Sequence, residues 1–123
     1  MSFDFKPGIP IYTQIVEYMQ LQIASGKYAP GEKIPSVREL ALEASVNPNT
    51  MQRALSELER DGLLYTVRTS GRFVTDFDET LNHLKKTMAE KSIGELFLKL
   101  DALGIDRIDS MKLITEWNNR EEK

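Results

Sequence analysis

The polar residues best suited to reading another molecule lie between Asn47 and Arg72. Asn49, Thr50, Gln52, Arg53 and Ser56 fall on one face at helical spacing, while Met51, Ala54, Leu55 and Leu58 fall on the other. Asn, Gln and Arg carry donor and acceptor pairs that match base edges in the major groove of DNA, and Thr and Ser reach bases or phosphates. The outer face holds no acid and reads as a recognition helix. Directly after it, Arg68-Thr69-Ser70-Gly71-Arg72 separates two β-prone stretches, 63–67 and 73–75, which predicts a small hairpin with a basic tip. A polar helix followed at once by such a hairpin is the winged arrangement. Two plainer readings stand beside this one. Arg53 could pair with Glu57 four residues on, and Arg68 and Arg72 could serve only to protect an exposed hairpin edge.

The elements that must hold these residues are marked by their ends. Asn47 is a good N-cap, Pro48 suits the first helical position, and Gly62 can end the helix, so the recognition helix should run from about Pro48 to Asp61. Ser36 with Glu39 three residues on forms a capping box for a preceding helix whose buried side is Val37, Leu40, Ala41 and Ala44. A turn of about three residues then leads to Asn47, which gives the helix-turn-helix pattern. Arg38, in the first turn of the first of these helices, lies beside the phosphate backbone or within reach of a base once the second enters the groove. Ser36 is mainly a cap, with a phosphate contact as a second use. Upstream, Ile11, Ile15, Tyr18, Met19, Gln22 and Ile23 trace the inner face of a helix from Pro10 or Ile11 to about Gly26. Residues 28–35, with two prolines and a Pro-Gly step, form a tight, rigid loop. The expected core is Ile15, Met19, Ile23, Leu40, Met51, Leu55, Leu58 and Phe73.

Beyond the hairpin three short helices are expected. Asp76 or Glu79 caps the first, with Leu81, Leu84 and Met88; Ser92 and Glu95 make a capping box for the second, with Ile93, Leu96, Phe97, Leu100 and Leu103, ending at Gly104. Asp106 caps the third, with Ile108, Met111, Ile114 and Trp117. Leu96, Phe97, Leu100, Ile108, Met111, Ile114 and Trp117 exceed what so small an appendage can bury, so they predict a surface for a second copy of the chain. Some 47 residues in short helices leave little room for an effector pocket of ~300 Å³ or more.

The totals bound the function. A chain of 123 residues holds one modest core, or a small domain plus an appendage. With 41% hydrophobic and 28% charged residues it has a globular composition, and no apolar run approaches the ~20 residues of a membrane span. No secretory signal pattern opens it, and its zero cysteines permit a reducing cytoplasm, the expected location. The net charge of −3 argues against holding nucleic acid by bulk positive charge. Charge placement still favours DNA. From Ala44 to Ser56 the only charge is Arg53, and from Gly62 to Thr75 the only charges are Arg68 and Arg72. His83 is the only histidine and reads as exposed, so no metal or other cofactor is expected. No nucleophile, base and orienting group are arranged together, and no enzyme is expected.

The ordered series PIYTQIVEYM, YAPGEKIPSVRELA and VNPNTMQRALSELERDGLLYTVR resembles the GntR family of bacterial winged-helix transcription regulators. Asn47-Pro48-Asn49-Thr50, Gln52-Arg53-Ala54 and Tyr65-Thr66-Val67-Arg68 look most like its YtrA-type subfamily, which also has a short helical C-terminal region. The resemblance implies that Arg38, Asn49, Thr50, Arg53 and Gly71 contact operator DNA. It also implies a homodimer on a palindromic site, often controlling a transporter operon. The wing departs from the subfamily at Thr69 and Arg72, where Gly and Thr are usual, giving a stiffer and more basic tip. The expectation is thus mainly α with a β-hairpin wing: a winged helix-turn-helix DNA-binding domain over 1–76 and a helical dimerisation region over 77–123. Its DNA-facing residues are Ser36, Arg38, Asn47, Asn49, Thr50, Gln52, Arg53, Arg68, Gly71 and Arg72. The expected function is a sequence-specific transcription repressor on double-stranded DNA. The alternative is a winged-helix adaptor that binds protein without DNA. Any small-molecule effector would sit at the dimer interface or between the two domains.

Overall fold

A computed structural model describes residues 3–121. In chain order these form α1 (Ile11–Ala24), α2 (Val37–Ala44), α3 (Pro48–Arg60), β1 (Leu64–Val67), β2 (Gly71–Val74), α4 (Asp78–Ala102) and α5 (Arg107–Glu121). The chain divides into two compact units, Met1–Lys85 and Lys86–Lys123, and the division falls inside α4.

The first unit is built on α3. Its Met51, Ala54, Leu55 and Leu58 are fully buried, and it packs against α1, α2 and β1. From α1 come Ile15, Met19 and Ile23, and from α2 Leu40, Ala41 and Ala44. Full burial of each such large aliphatic side chain stabilises the fold by about 1.5–3 kcal/mol relative to leaving it exposed. These positions recur at three and four, as the helical period read from the sequence requires, except that Ile11 in the first turn of α1, expected on the inner face, is exposed.

The caps fall where the residue types place them. Ser36 Oγ accepts the Glu39 N–H at 3.2 Å and Glu39 Oε1 accepts the Ser36 N–H at 3.1 Å, completing the capping box. Asn47 Oδ1 accepts the Asn49 N–H at 2.7 Å, with Pro48 following at the first helical position. Between the two helices Ser45 takes the left-handed region at φ 56°, and the Val46 N–H reaches the Ala41 carbonyl at 3.0 Å. Gly62, at φ 81°, closes α3, and the Leu63 N–H returns to the Leu58 carbonyl at 3.0 Å. That closure fixes where the hairpin begins.

The hairpin pairs Leu64 with Val74, Tyr65 with Phe73, Thr66 with Arg72 and Val67 with Gly71. Its period of two puts Leu64 and Val74 into the core and turns Phe73 away, half-buried and stacked on Tyr65 at 5.7 Å between ring centroids. Phe73 is therefore not the core residue expected. The loop is only Arg68-Thr69-Ser70, since β2 already starts at Gly71. Residues 28–35 do more than turn. The Ile34 N–H donates to the Arg72 carbonyl at 3.0 Å, the Val74 N–H donates to the Glu32 carbonyl at 2.9 Å, and Lys33 bridges Phe73 antiparallel. The segment lies along the free edge of β2.

The C-terminal region has two helices, not three. α4 runs without a break through Ser92, so the Ser92–Glu95 capping box is not used. Nothing between Met88 and Ser92 stops the preceding helix: Ala89, Glu90 and Lys91 are good helix formers, and extending a formed helix is easier than nucleating a new one. α4 ends in a turn at Gly104 (φ 80°), and Asp106 Oδ1 accepts the Asp109 N–H at 2.8 Å at the start of α5. Among the described residues no helix is long and apolar enough to cross a membrane.

Candidate nucleic-acid interface

α3 presents Asn49, Gln52 and Arg53 exposed, with Thr50 and Ser56 half-buried at the margins. Gln52 Nε2 donates to Ser56 Oγ at 3.1 Å, which ties two of these side chains into one polar strip. Arg53 does not take the plainer option of pairing with Glu57. Its guanidinium lies over the Tyr12 ring, 4.2 Å from the centroid, while the Tyr12 hydroxyl donates to Glu57 Oε2 at 2.8 Å. Tyr12 thus holds the acid and carries the base, leaving the edges of the Arg53 fork for other acceptors. The Tyr12 hydroxyl is raised above its ordinary pKa, first by the bond to Glu57 and then by burial. Sequence reasoning missed Tyr12. It lies 41 residues before Arg53, and only the packing of α1 on α3 brings the two together.

Arg38 is exposed in the first turn of α2. It shares with Lys33, Ser36, Gly71 and Arg72 the walls of an open cleft of about 500 Å³ between α2 and the hairpin. Asn47 is exposed at the start of α3 with its side chain engaged in the cap. At the wing the residues separate. Arg68 is exposed in the loop, whereas Arg72 lies in β2 and its Nε donates to Glu59 Oε1 at 3.1 Å. The same oxygen accepts the Thr66 hydroxyl at 2.8 Å. The expected basic tip therefore holds one arginine, because the strand begins earlier than residue types suggested and carries the other back onto α3. Gly71 has φ 122°, a conformation that L side chains rarely adopt.

The second unit leaves apolar surface open. Leu96, Ile108, Met111 and Trp117 are exposed, and Phe97, Leu100 and Ile114 are half-buried. The Arg107 guanidinium lies 3.9 Å over the Phe97 ring and that of Arg120 lies 4.3 Å over Trp117. Leu96, Leu100, Leu113, Ile114 and Trp117 line an open groove of about 700 Å³. The expectation of little room is thus corrected: α4 and α5 do not pack side by side along their lengths, and the space stays between them. On α5, Ser110 is fully buried while the flanking Ile108 and Met111 face out. Among the described residues, no group of three or more His, Cys, Asp or Glu side chains is placed to hold a metal ion.

Residues 11–74 match the family model of bacterial regulatory proteins, gntR family. The chain is 34% identical over 118 residues to the HTH-type transcriptional repressor YtrA of Bacillus subtilis (strain 168), spanning 95% of this chain and 88% of that one. Among solved structures, a GntR family transcriptional regulator from Listeria monocytogenes superposes with a TM-score of 0.83 at 36% identity, over 91% of this chain and 98% of that one. AraR(DBD) in complex with operator ORX1 superposes with a TM-score of 0.56 at 33% identity, over 61% of this chain and 95% of the other.

Proposed function

The chain belongs to the gntR family of bacterial regulatory proteins and resembles its YtrA-type members along nearly its whole length; from that premise we propose that it represses transcription by binding a palindromic operator as a homodimer. It is a DNA-binding transcription regulator of the helix-turn-helix type, and not an enzyme. The observation that carries the finer reading is the face of α3, where Asn49, Gln52 and Arg53 stand exposed and free of acid, with Glu57 held off by Tyr12. In this reading the N-terminal part of α3 enters the major groove. Asn49, Thr50, Gln52 and Arg53 meet base edges; Ser36, Arg38 and Asn47 meet the backbone; Arg68 and Gly71 bring the wing to the flanking groove, with Arg72 held back on Glu59.

The division of labour is a DNA-binding domain over 1–76 and a dimerisation region over 77–123. Support for the dimer is the run of large apolar side chains left in water on α4 and α5, Trp117 and Ile108 among them. A two-fold partner would cover them and hold two α3 helices about one DNA turn apart, ~34 Å. The resemblance extends the proposal to a transporter operon as the regulated unit and to the cytoplasm as the location. An effector, where one acts, would enter the apolar groove of the second unit, at the dimer interface. The test is a footprint of the intact protein on the DNA upstream of its own gene, with sedimentation of the same sample. Two protected half-sites about one turn apart, bound by a dimer, support the reading. Binding to partner proteins with no protected DNA would leave the adaptor.

A further inference from the structure

We propose that Lys33, set on the free edge of the wing, is a phosphate anchor that closes the cleft between the wing and α2, and that Gly71 serves it by leaving its side chain a path. The proposal rests on the DNA-binding reading above and adds to it a contact outside the helix-turn-helix.

Three observations carry it. The first is the backbone. Glu32 and Ile34 are hydrogen-bonded to β2, and Lys33 between them bridges Phe73, so Lys33 sits on a fixed edge and not on a loose loop. The second is the course of its side chain. A Cβ placed on Gly71 would lie 3.0 Å from Lys33 Cε and 3.8 Å from Lys33 Nζ, so the end of the Lys33 chain passes over Gly71, and a side chain there would push it aside by a few tenths of an ångström. The third is where the ammonium arrives. Lys33 and Arg38 stand in the walls of the same open cleft of about 500 Å³, beside the N-terminal end of α2. A helix start adds a modest positive field.

Opposing charge in the cleft is accounted for. Glu39 is in its wall, with Oε1 accepting the Ser36 N–H. The carboxyl is held below its ordinary pKa first by that backbone bond, then by the Ser36 hydroxyl, with the charge of Lys33 also lowering it. Arg72 in the same wall is engaged by Glu59. With Arg72 balanced by Glu59, Lys33 and Arg38 against Glu39 still leave the cleft positive. A compact ammonium beside a guanidinium suits a phosphodiester oxygen, where neither donor needs the planar fit that a base edge requires. The cleft borders a second one, between α3 and the wing, through Thr66 and Arg72, so a strand lying against α3 can continue into it.

The test is a salt titration of full-length protein on two duplexes, one selected for tight binding and one of scrambled sequence, read by fluorescence anisotropy. Lys33→Ala is expected to lower the slope of log K against log salt by about 0.9 on both duplexes, the signature of one lost phosphate contact. Gly71→Ala, checked for fold by circular dichroism, is expected to weaken binding by a smaller factor in the Lys33→Ala background than in wild type, because part of its effect passes through Lys33. Where Gly71→Ala does not fold, the Lys33→Ala slope alone decides. A slope unchanged by Lys33→Ala, with wild type binding normally, overturns the anchor. An equal Gly71→Ala effect in both backgrounds overturns the role given to Gly71. Wild-type protein that binds neither duplex overturns the DNA reading itself, and the anchor with it.

Discussion

Replacing Glu59 by Gln should weaken the fold slightly and strengthen the grip on DNA, because Glu59 is the acid that restrains Arg72. Its Oε1 accepts both the Thr66 hydroxyl at 2.8 Å and Arg72 Nε at 3.1 Å. The amide keeps an oxygen that can accept both bonds and loses only the charge. With side-chain exposures of 37% for Glu59 and 19% for Arg72 the pair is largely screened, so the folding cost should be about 1 kcal/mol at most. With a urea m-value of about 1–3 kcal/mol per molar, the midpoint should fall by no more than about 0.3–1 M. The effect on DNA has the opposite sign. Net charge rises from −3 to −2, and the Arg72 charge, no longer balanced by a carboxylate, is left to neutralise a phosphate, steepening the salt slope by up to about 0.9. Between 50 and 200 mM salt that amounts to about threefold more loss of affinity than wild type shows. The assay is anisotropy on a scrambled duplex across that range, with Arg72→Gln made in both backgrounds. Arg72→Gln should matter little alone and cancel the gain in Glu59→Gln. A Glu59→Gln slope equal to that of wild type would refute the reasoning and leave Arg72 as an edge-protecting residue tied to α3.

Arg38→Ala is expected to weaken specific and scrambled duplexes alike and lower the salt slope by about 0.9; a loss confined to the specific duplex would move Arg38 to a base contact. Trp117→Ala, which removes a large exposed aromatic from α5, should shift a sedimenting dimer toward monomer at micromolar concentration while the far-ultraviolet spectrum is kept. An unchanged dimer would place the interface elsewhere. Burial first, then the nearby Tyr18, Glu43 and Glu32, pushes the Tyr28 hydroxyl up to about 12. Because the folded value is raised, the stability it contributes is complete below the unfolded value near 10 and is lost as pH rises toward 12. An absorbance titration comparing wild type with Tyr28→Phe should find the missing phenol ionising last, and a difference centred near 10 would contradict this.

The helix-turn-helix was legible because each of its signals is local. Ser36, Glu39, Asn47, Pro48 and Gly62 act within a few residues of themselves, and the buried faces of α1, α2 and α3 repeat at the helical period. The wing was legible in kind but not in register. Whether Phe73 or Val74 faces inward depends on one residue of phase, set by the α3 closure at Gly62 and Leu63 and not by residue type. Arg72 and Tyr12 were misplaced or missed because their partners, Glu59 and Arg53, lie 13 and 41 residues away. The strand-like edge at Lys33 was hidden by the prolines on either side of it, which read as a loop. In the C-terminal region the Ser92–Glu95 signal was real as chemistry but lost to propagation of a helix already formed.

The central claim is that α3 lies in the major groove with Arg53 on a base, and dimethyl sulfate protection tests it most directly, because the reagent attacks guanine N7 there. On its selected duplex the intact protein is expected to shield guanines in each half-site. Arg53→Ala, folded and assayed at saturating protein, should return one guanine per half-site to full reactivity, with a loss of about 1–3 kcal/mol in specific binding. Guanine N7 left reactive throughout by the wild-type protein, or the same protection with Arg53 and with Ala at that position, would contradict the claim.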